Sequence, residues 1–133
     1  MFIILVLFLI TMVVFISVSY KKSTVIQPKL IDLELVGKYM SDFEVVGVHL
    51  GERKWHIINY VEKHNPVELI PEPKNKYSSK AIMVEVEGVH VGYISESDLD
   101  EVHDIISRPY SARVLEKDYS NSFLNLTIEI NHS

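Results

Sequence analysis

A chain of 133 residues has room for one compact domain, large enough to bury a modest core without disulfides. It contains no cysteine, which excludes disulfide scaffolds, zinc ribbons, thiol redox chemistry and cysteine nucleophiles. A net charge of -5 excludes a protein that coats nucleic acid nonspecifically, since that affinity comes from phosphate neutralisation by Lys and Arg; any nucleic-acid contact must rest on a local patch.

From Met1 to Tyr20 there is no charged side chain, and only Thr11, Ser17, Ser19 and Tyr20 interrupt a run of Phe, Ile, Leu, Val and Met. A helix of about 20 residues rises roughly 30 Å, the thickness of a hydrocarbon core, so residues 1–20 are expected to span a bilayer once. A cleaved signal peptide would carry an early Lys or Arg and a small-residue cleavage site, and neither is present. Lys21, Lys22 and Lys29 follow the run while only the α-amine precedes it. The positive-inside bias then puts the folded domain in the cytoplasm. Residues 21–41 read as a tether in which Pro28 blocks a continuous helix, with Leu30, Ile31, Leu33, Leu35 and Val36 apolar enough to pair or pack as either strand or short helix.

The domain is expected over residues 42–133. The β-branched stretch 43–50, closed by Gly51, reads as a strand. Residues 53–63 read as a short helix with Trp55 and Ile58 on one face. A short strand over 67–70 is closed by Pro71 and Pro73. Two strands over 81–86 and 89–94 flank Glu87-Gly88, a two-residue hairpin signal. Ser97 is expected to cap a helix whose stripe is Leu99, Val102, Ile105 and Ile106, with acids in its first turn matching the macrodipole and Pro109 ending it. Strands over 112–116 and 123–130 surround a turn at 118–122. In the last strand Leu124, Leu126, Ile128 and Ile130 alternate with Asn125, Thr127 and Glu129, one face buried and one wet. Six short strands with one or two helices give a mainly β fold, a small barrel or strongly curled sheet.

Chemistry-bearing motifs are absent from the sequence. The six histidines show no metal-ligand spacing such as H-E-x-x-H, and His49, His56, His90 and His103 read as surface or satisfied residues. There is no P-loop, G-x-G-x-x-G or G-x-S-x-G. Glu85 and Glu87 alternate with Val84 and Val86 as a strand's wet face does, not as a catalytic pair. The expectation is a non-enzyme without metal or cofactor.

The stretch 67–84 carries more information. A strand ends in the acid-Pro pair Glu72-Pro73, the loop Asn75-Lys76-Tyr77-Ser78-Ser79-Lys80-Ala81-Ile82 leads into the next strand, and Gly92-Tyr93 follows before the helix that Ser97 begins. Upstream, Val46-Gly47-Val48 is followed by Gly51-Glu52-Arg53. This order resembles the HIRAN family, whose loop has the form N-x-Y-D-x-N-A-[IV] followed by a Gly-aromatic or Gly-His pair, and whose opening strand precedes a G-x-R step. The resemblance covers about residues 42–117. It implies an OB-like or SH3-like barrel and a grip on single-stranded DNA, at its 3′ end in particular. Asn75 and Tyr77 match the family's loop Asn and Tyr, Tyr77 being the residue expected to stack on a terminal base. Arg53 matches a basic position, Trp55 falls at or near an aromatic one, and Tyr93 takes the Gly-following position. The family's Asp after the loop Tyr is Ser78 here, and its Asn is Lys80. A carboxylate suits acceptance from a 3′ hydroxyl, and Ser78 accepts without charge assistance, so that bond is expected to be weaker.

The charge distribution agrees with a local site. Glu96, Asp98, Asp100, Glu101 and Asp104 concentrate in or beside one short helix, while cations gather at Arg53 and Lys54 and at Lys74, Lys76 and Lys80, interleaved with Trp55, Asn75 and Tyr77. Cations for phosphates beside aromatic faces for bases is what sequence-tolerant single-strand binding needs. Two readings stand at this point: a membrane-tethered DNA-binding module, and a membrane-anchored protein-interaction domain that has lost nucleic acid and recruits a partner through its acidic helix or a strand edge.

Overall fold

The computed structural model describes residues 37–133. The expected bilayer-spanning segment 1–20 and most of the 21–41 tether lie outside the described residues, among which no helix is long and apolar enough to cross a membrane. Six strands, β1 (Tyr39–Val46), β2 (Pro66–Pro71), β3 (Ile82–Val86), β4 (Val89–Ile94), β5 (Tyr110–Ser120) and β6 (Phe123–His132), close into a barrel in the order β1-β4-β3-β2-β5-β6. Every neighbouring pair is antiparallel. Helix α1 (Arg53–Tyr60) lies between β1 and β2, and helix α2 (Leu99–Ile106), preceded by a 3-10 turn at Glu96–Asp98, lies between β4 and β5. The mainly β barrel with short helices expected from the sequence is the observed architecture.

The alternation in β6 builds the centre of the core. Leu124, Leu126, Ile128 and Ile130 are buried and meet Phe43, Val45, Val84, Val86, Val91 and Val114 from the other strands. Since side chains alternate across a strand, one run of four branched residues covers one wall of the interior. β6 pairs with β5 on one side and β1 on the other, Phe43 standing opposite Ile128. The β2–β5 junction is short, from Pro66↔Arg113 to Val67↔Ala112, and is extended by His64 N–H donating to Val114 C=O at 2.8 Å and Val114 N–H to Asn65 C=O at 2.9 Å.

Several local expectations shift. β1 opens at Tyr39, inside the segment read as tether, because Tyr39 to Asp42 find partners from His132 to Glu129 in β6. It ends at Val46, four residues before the expected Leu50, because Gly47 takes a φ of 74° and a turn follows in which Leu50 N–H donates to Gly47 C=O at 3.3 Å. In α1 the buried face is carried by Ile57, with Val61 just beyond the helix, and not by Trp55, which is 60% exposed. The helix stops at Tyr60, not Lys63, where Val61 turns extended. Lys117 Nζ donates to the carbonyls of Ile57 and Ile58 at 3.3 and 3.1 Å, sharing the first with the Val61 N–H and adding a cation at the end of the helix. Ser97 does not cap α2: it lies within the 3-10 turn, its Oγ 3.2 Å from that of Ser95, and no side chain caps the N-terminus of either segment. The stripe of α2 is as expected, with Leu99, Val102 and Ile105 buried. β5 runs on to Ser120, so the turn contracts to Asn121 and Ser122, both at positive φ, the geometry of a two-residue hairpin. Glu87 and Gly88 form the other hairpin, at φ 50° and 79°.

The β1–β4 seam requires Gly92. A Cβ there would strike the Val46 carbonyl oxygen and stand 2.6 Å from Val45 Cγ1, so the strands approach more closely than any side chain allows.

Candidate functional site

The β2–β3 connection is a loop shaped by its own side chains. Glu72 N–H donates to Ala81 C=O at 2.8 Å across its base, and Asn75 N–H donates to Glu72 C=O at 2.9 Å to make the first turn. Asn75 Oδ1 then accepts the N–H groups of Tyr77 and Ser78 at 2.8 and 3.2 Å, while its Nδ2 donates to Glu72 Oε1 at 3.1 Å. Short Asx side chains compete well for neighbouring amides, which is why Asn suits this position. Ser78 Oγ accepts the Lys80 N–H at 3.2 Å, and Ala81 N–H closes on Ser78 C=O at 3.2 Å. Lys80 leaves the loop to pair with Asp100 of α2 at 2.9 Å, and His103 Nε2 donates to the Lys80 carbonyl at 2.7 Å, so α2 clamps the far end. The Asp100 carboxylate raises the Lys80 pKa, and the Asp100 pKa is lowered in return.

This loop forms one lip of a groove of about 430 Å³. Its floor and opposite side come from Val46, Gly47, Leu50, Arg53, Ala81, Tyr93, Ile94 and Leu99, with Glu96 at one end. Tyr77 is 89% exposed, and Lys76 Nζ lies 5.7 Å from its ring centroid. Leu50, from the turn after β1, is 63% exposed. A tyrosine and a leucine so uncovered contribute little to the core, and both border the same cavity.

Arg53, the first residue of α1, reaches to the turn after β1 and to β4. Its Nη1 donates to Gly47 C=O at 3.1 Å, its Nη2 lies 3.5 Å from His90 Nδ1, and its guanidinium stands 5.6 Å from the centroid of the Tyr93 ring. His90 Nε2 donates to Gly92 C=O at 3.1 Å, which leaves Nδ1 as the acceptor facing Arg53. The His90 ring also meets Tyr93 edge-on, with centroids 4.9 Å apart. Burial, then the Arg53 charge, hold the His90 pKa below the ordinary imidazole value, consistent with a neutral ring accepting from a cation. Burial, then the Glu72 carboxylate, push the Tyr93 phenol up, so it stays a protonated donor.

Of the residues expected from sequence, the groove brings together Arg53, Asn75, Lys76, Tyr77, Ser78 and Tyr93. Four are placed elsewhere. Lys54 donates to Ser122 C=O at 3.3 Å and lies 5.5 Å from the Tyr119 ring centroid, against the β5–β6 hairpin. Trp55 borders a different groove beside His56 and Val89. Lys80 is bound to Asp100, and Lys74 is exposed at the turn without lining the cavity. Asn75 lines the groove with its amide engaged inside the loop. Leu50, Glu72 and His90 take parts that the sequence reading did not give them; the acid-Pro pair at the end of β2 was the available signal for Glu72. Among the described residues no group of His, Asp or Glu could hold a metal ion.

Comparison with known proteins gives a family and a fold. The family model described as HIRAN domain matches residues 38–127. The crystal structure of the HIRAN domain of human HLTF is similar at 20% identity, with a TM-score of 0.54, over 68% of this chain and 72% of that one. A crystal structure of a protein from Lactobacillus plantarum is similar at 19% identity, with a TM-score of 0.53, over 71% of this chain and 100% of that one. At these identities the two structures speak to the fold alone. No curated protein matches the chain significantly.

Proposed function

The chain belongs to the HIRAN domain family, and from that membership together with the groove we propose that it is a binding module for single-stranded DNA, not an enzyme. The observation that carries the reading is Tyr77, a residue 89% exposed whose backbone N–H, like that of Ser78 after it, is held by Asn75 Oδ1, on the lip of a cavity that also holds Arg53 and Lys76. An exposed aromatic face on an ordered loop beside two cations stacks a base and neutralises its phosphate without reading sequence. Tyr93 and the apolar floor of Val46, Ala81 and Ile94 give the base a half-apolar seat.

A preference for 3′ ends is the finer part of the proposal. Ser78 stands where the resemblance implies an Asp, and its Oγ already accepts the Lys80 N–H, so it offers a terminal hydroxyl a neutral and partly used acceptor. We further propose that residues 1–20 tether the barrel to a membrane with the domain on the cytoplasmic side, a reading supported by the uncharged run and the lysines after it.

Titrating the full-length chain with end-labelled single strands, free or blocked at the 3′ end, tests the reading at low and high salt. We expect binding that weakens with salt, loses affinity in Tyr77→Ala and Arg53→Ala, and favours the free end only modestly. Absence of binding at low salt would overturn it in favour of a protein-interaction domain. Membrane fractionation of the full-length chain against one lacking residues 1–20 tests the tether.

A further inference from the structure

We propose that a strand held in the Tyr77 groove continues across Leu50 and Arg53 into a second groove, where Trp55 stacks a further base. The inference rests on reading the first groove as a single-stranded DNA site, and it assigns that site a longer footprint and a direction of travel over the surface.

The second groove has a volume of about 540 Å³ and is bordered by Leu50, Arg53, Trp55, His56, Val89 and His90. Leu50 and Arg53 border the first groove as well, so the two cavities adjoin with these side chains as the ridge between them. Trp55 is 60% exposed on the face of α1 opposite the buried Ile57. Its indole meets the Tyr60 ring edge to face, with centroids 5.4 Å apart and planes at 65°. Such a contact orients the ring while leaving aromatic surface for a second partner, and Tyr60 is itself exposed. The cation sits at the ridge: Arg53 spends one N–H on Gly47 and one on His90, and a guanidinium has five. A phosphate joining a nucleotide in one groove to a nucleotide in the other falls at that ridge. The Glu52 carboxylate borders the second groove, so attraction there comes from stacking and from Arg53, not from a field of lysines.

Trp55 is the chain's one tryptophan, so its emission reports on this groove alone. The full-length chain is titrated with a thymidine dinucleotide and with an oligothymidylate of about 12 nucleotides, a length within the range one small barrel covers. Labelled-strand anisotropy is read in parallel. The longer strand is expected to quench Trp55 emission and to bind about five- to hundredfold more tightly than the dinucleotide, the gain one stacked base supplies. Trp55→Ala, at an exposed position, removes that gain and leaves the dinucleotide affinity in place, and Trp55→Phe restores part of it. A longer strand that binds by anisotropy without altering Trp55 emission overturns the inference and spares the first groove. Equal weakening of both lengths in Trp55→Ala does the same. Absence of binding at either length overturns the proposed function itself, and this inference with it.

Discussion

The side-chain oxygen of Asn75 accepts the backbone N–H of Tyr77 at 2.8 Å, so the residue that the sequence offered as a ligand contact is the one that holds the loop backbone from which the exposed ring projects. Asn75→Ala is expected to cost folding stability only about 1 kcal/mol, since the freed amides reach water. The single-strand affinity should nevertheless fall about fivefold or more, because the loop must then be ordered on binding. Tyr77→Ala gives the complementary result: stability within about 0.5 kcal/mol of wild type and a larger loss of affinity. Urea denaturation paired with strand anisotropy separates the two; an Asn75→Ala protein that binds like wild type contradicts this role.

Gly92→Ala should destabilise the barrel by about 1–3 kcal/mol, the usual cost of forcing carbon into a packed site. Its added methyl meets the Val46 carbonyl oxygen and the Val45 side chain, and neither can move without opening the β1–β4 seam. Denaturation midpoints measure it. Because Val46 and Tyr93 are paired at that seam and both border the groove, strand affinity should fall along with stability.

Stability should fall on mild acidification through His90. The folded pKa lies below the ordinary value, mainly through burial and then through the Arg53 charge. Between the folded value and about 6.5 the unfolded chain therefore binds more protons than the folded one. The contribution of His90 is complete above about pH 6.5 and is lost as pH drops through the folded value. Comparing urea midpoints at about pH 7.5 and about pH 5.5 for wild type and His90→Gln checks this. The variant should lose less stability between them, and an identical loss in both proteins counts against it.

Glu129 is only 8% exposed, and its carboxylate accepts from Arg113 Nε at 2.6 Å. Arg113→Met should cost about 1–3 kcal/mol by leaving that acceptor unsatisfied. Adding Glu129→Met should recover much of the loss, since an apolar pair removes the stranded charge as well. Failure of the double variant to recover any stability would show that the residues act independently.

What could be read from the sequence was what local chemistry decides. β4 was legible to the residue because Val89–Ile94 is apolar and opens from a Glu-Gly hairpin, and β6 was legible to within two residues at its end because its four branched residues repeat at period two. The second half of β5 was not. Lys117, Asp118, Tyr119 and Ser120 carry no buried face, the pairing shifts between Val114 and Glu116, and their strand character comes from the ladder to β6. Trp55 was expected beside Tyr77, but α1 buries the face of Ile57 and carries Trp55 to the neighbouring groove. For the site, the loop, the Gly51-Glu52-Arg53 step and Gly92-Tyr93 led to Arg53, Asn75, Lys76, Tyr77, Ser78 and Tyr93. Lys54 and Lys80 escaped because their partners, Ser122 and Asp100, are distant in sequence or on another element, so nothing near them signals that their charges are engaged.

The pairing of β1 with β6 bears on how the protein comes to be made. Ser41 Oγ lies 2.9 Å from His132 Nε2 across 91 positions of chain, so the first strand waits for the last before this side of the barrel can shut. As the polypeptide emerges from the ribosome, β1 has β4 to lean on at Val45 and Val46 while Tyr39 to Glu44 remain an uncovered edge. Such an edge is open to pairing with another nascent chain. Release of Phe123–His132 removes that hazard, so nascent chains in which residue 123 has not left the ribosome should be protease-sensitive and self-associating, and those with residue 132 clear of it resistant.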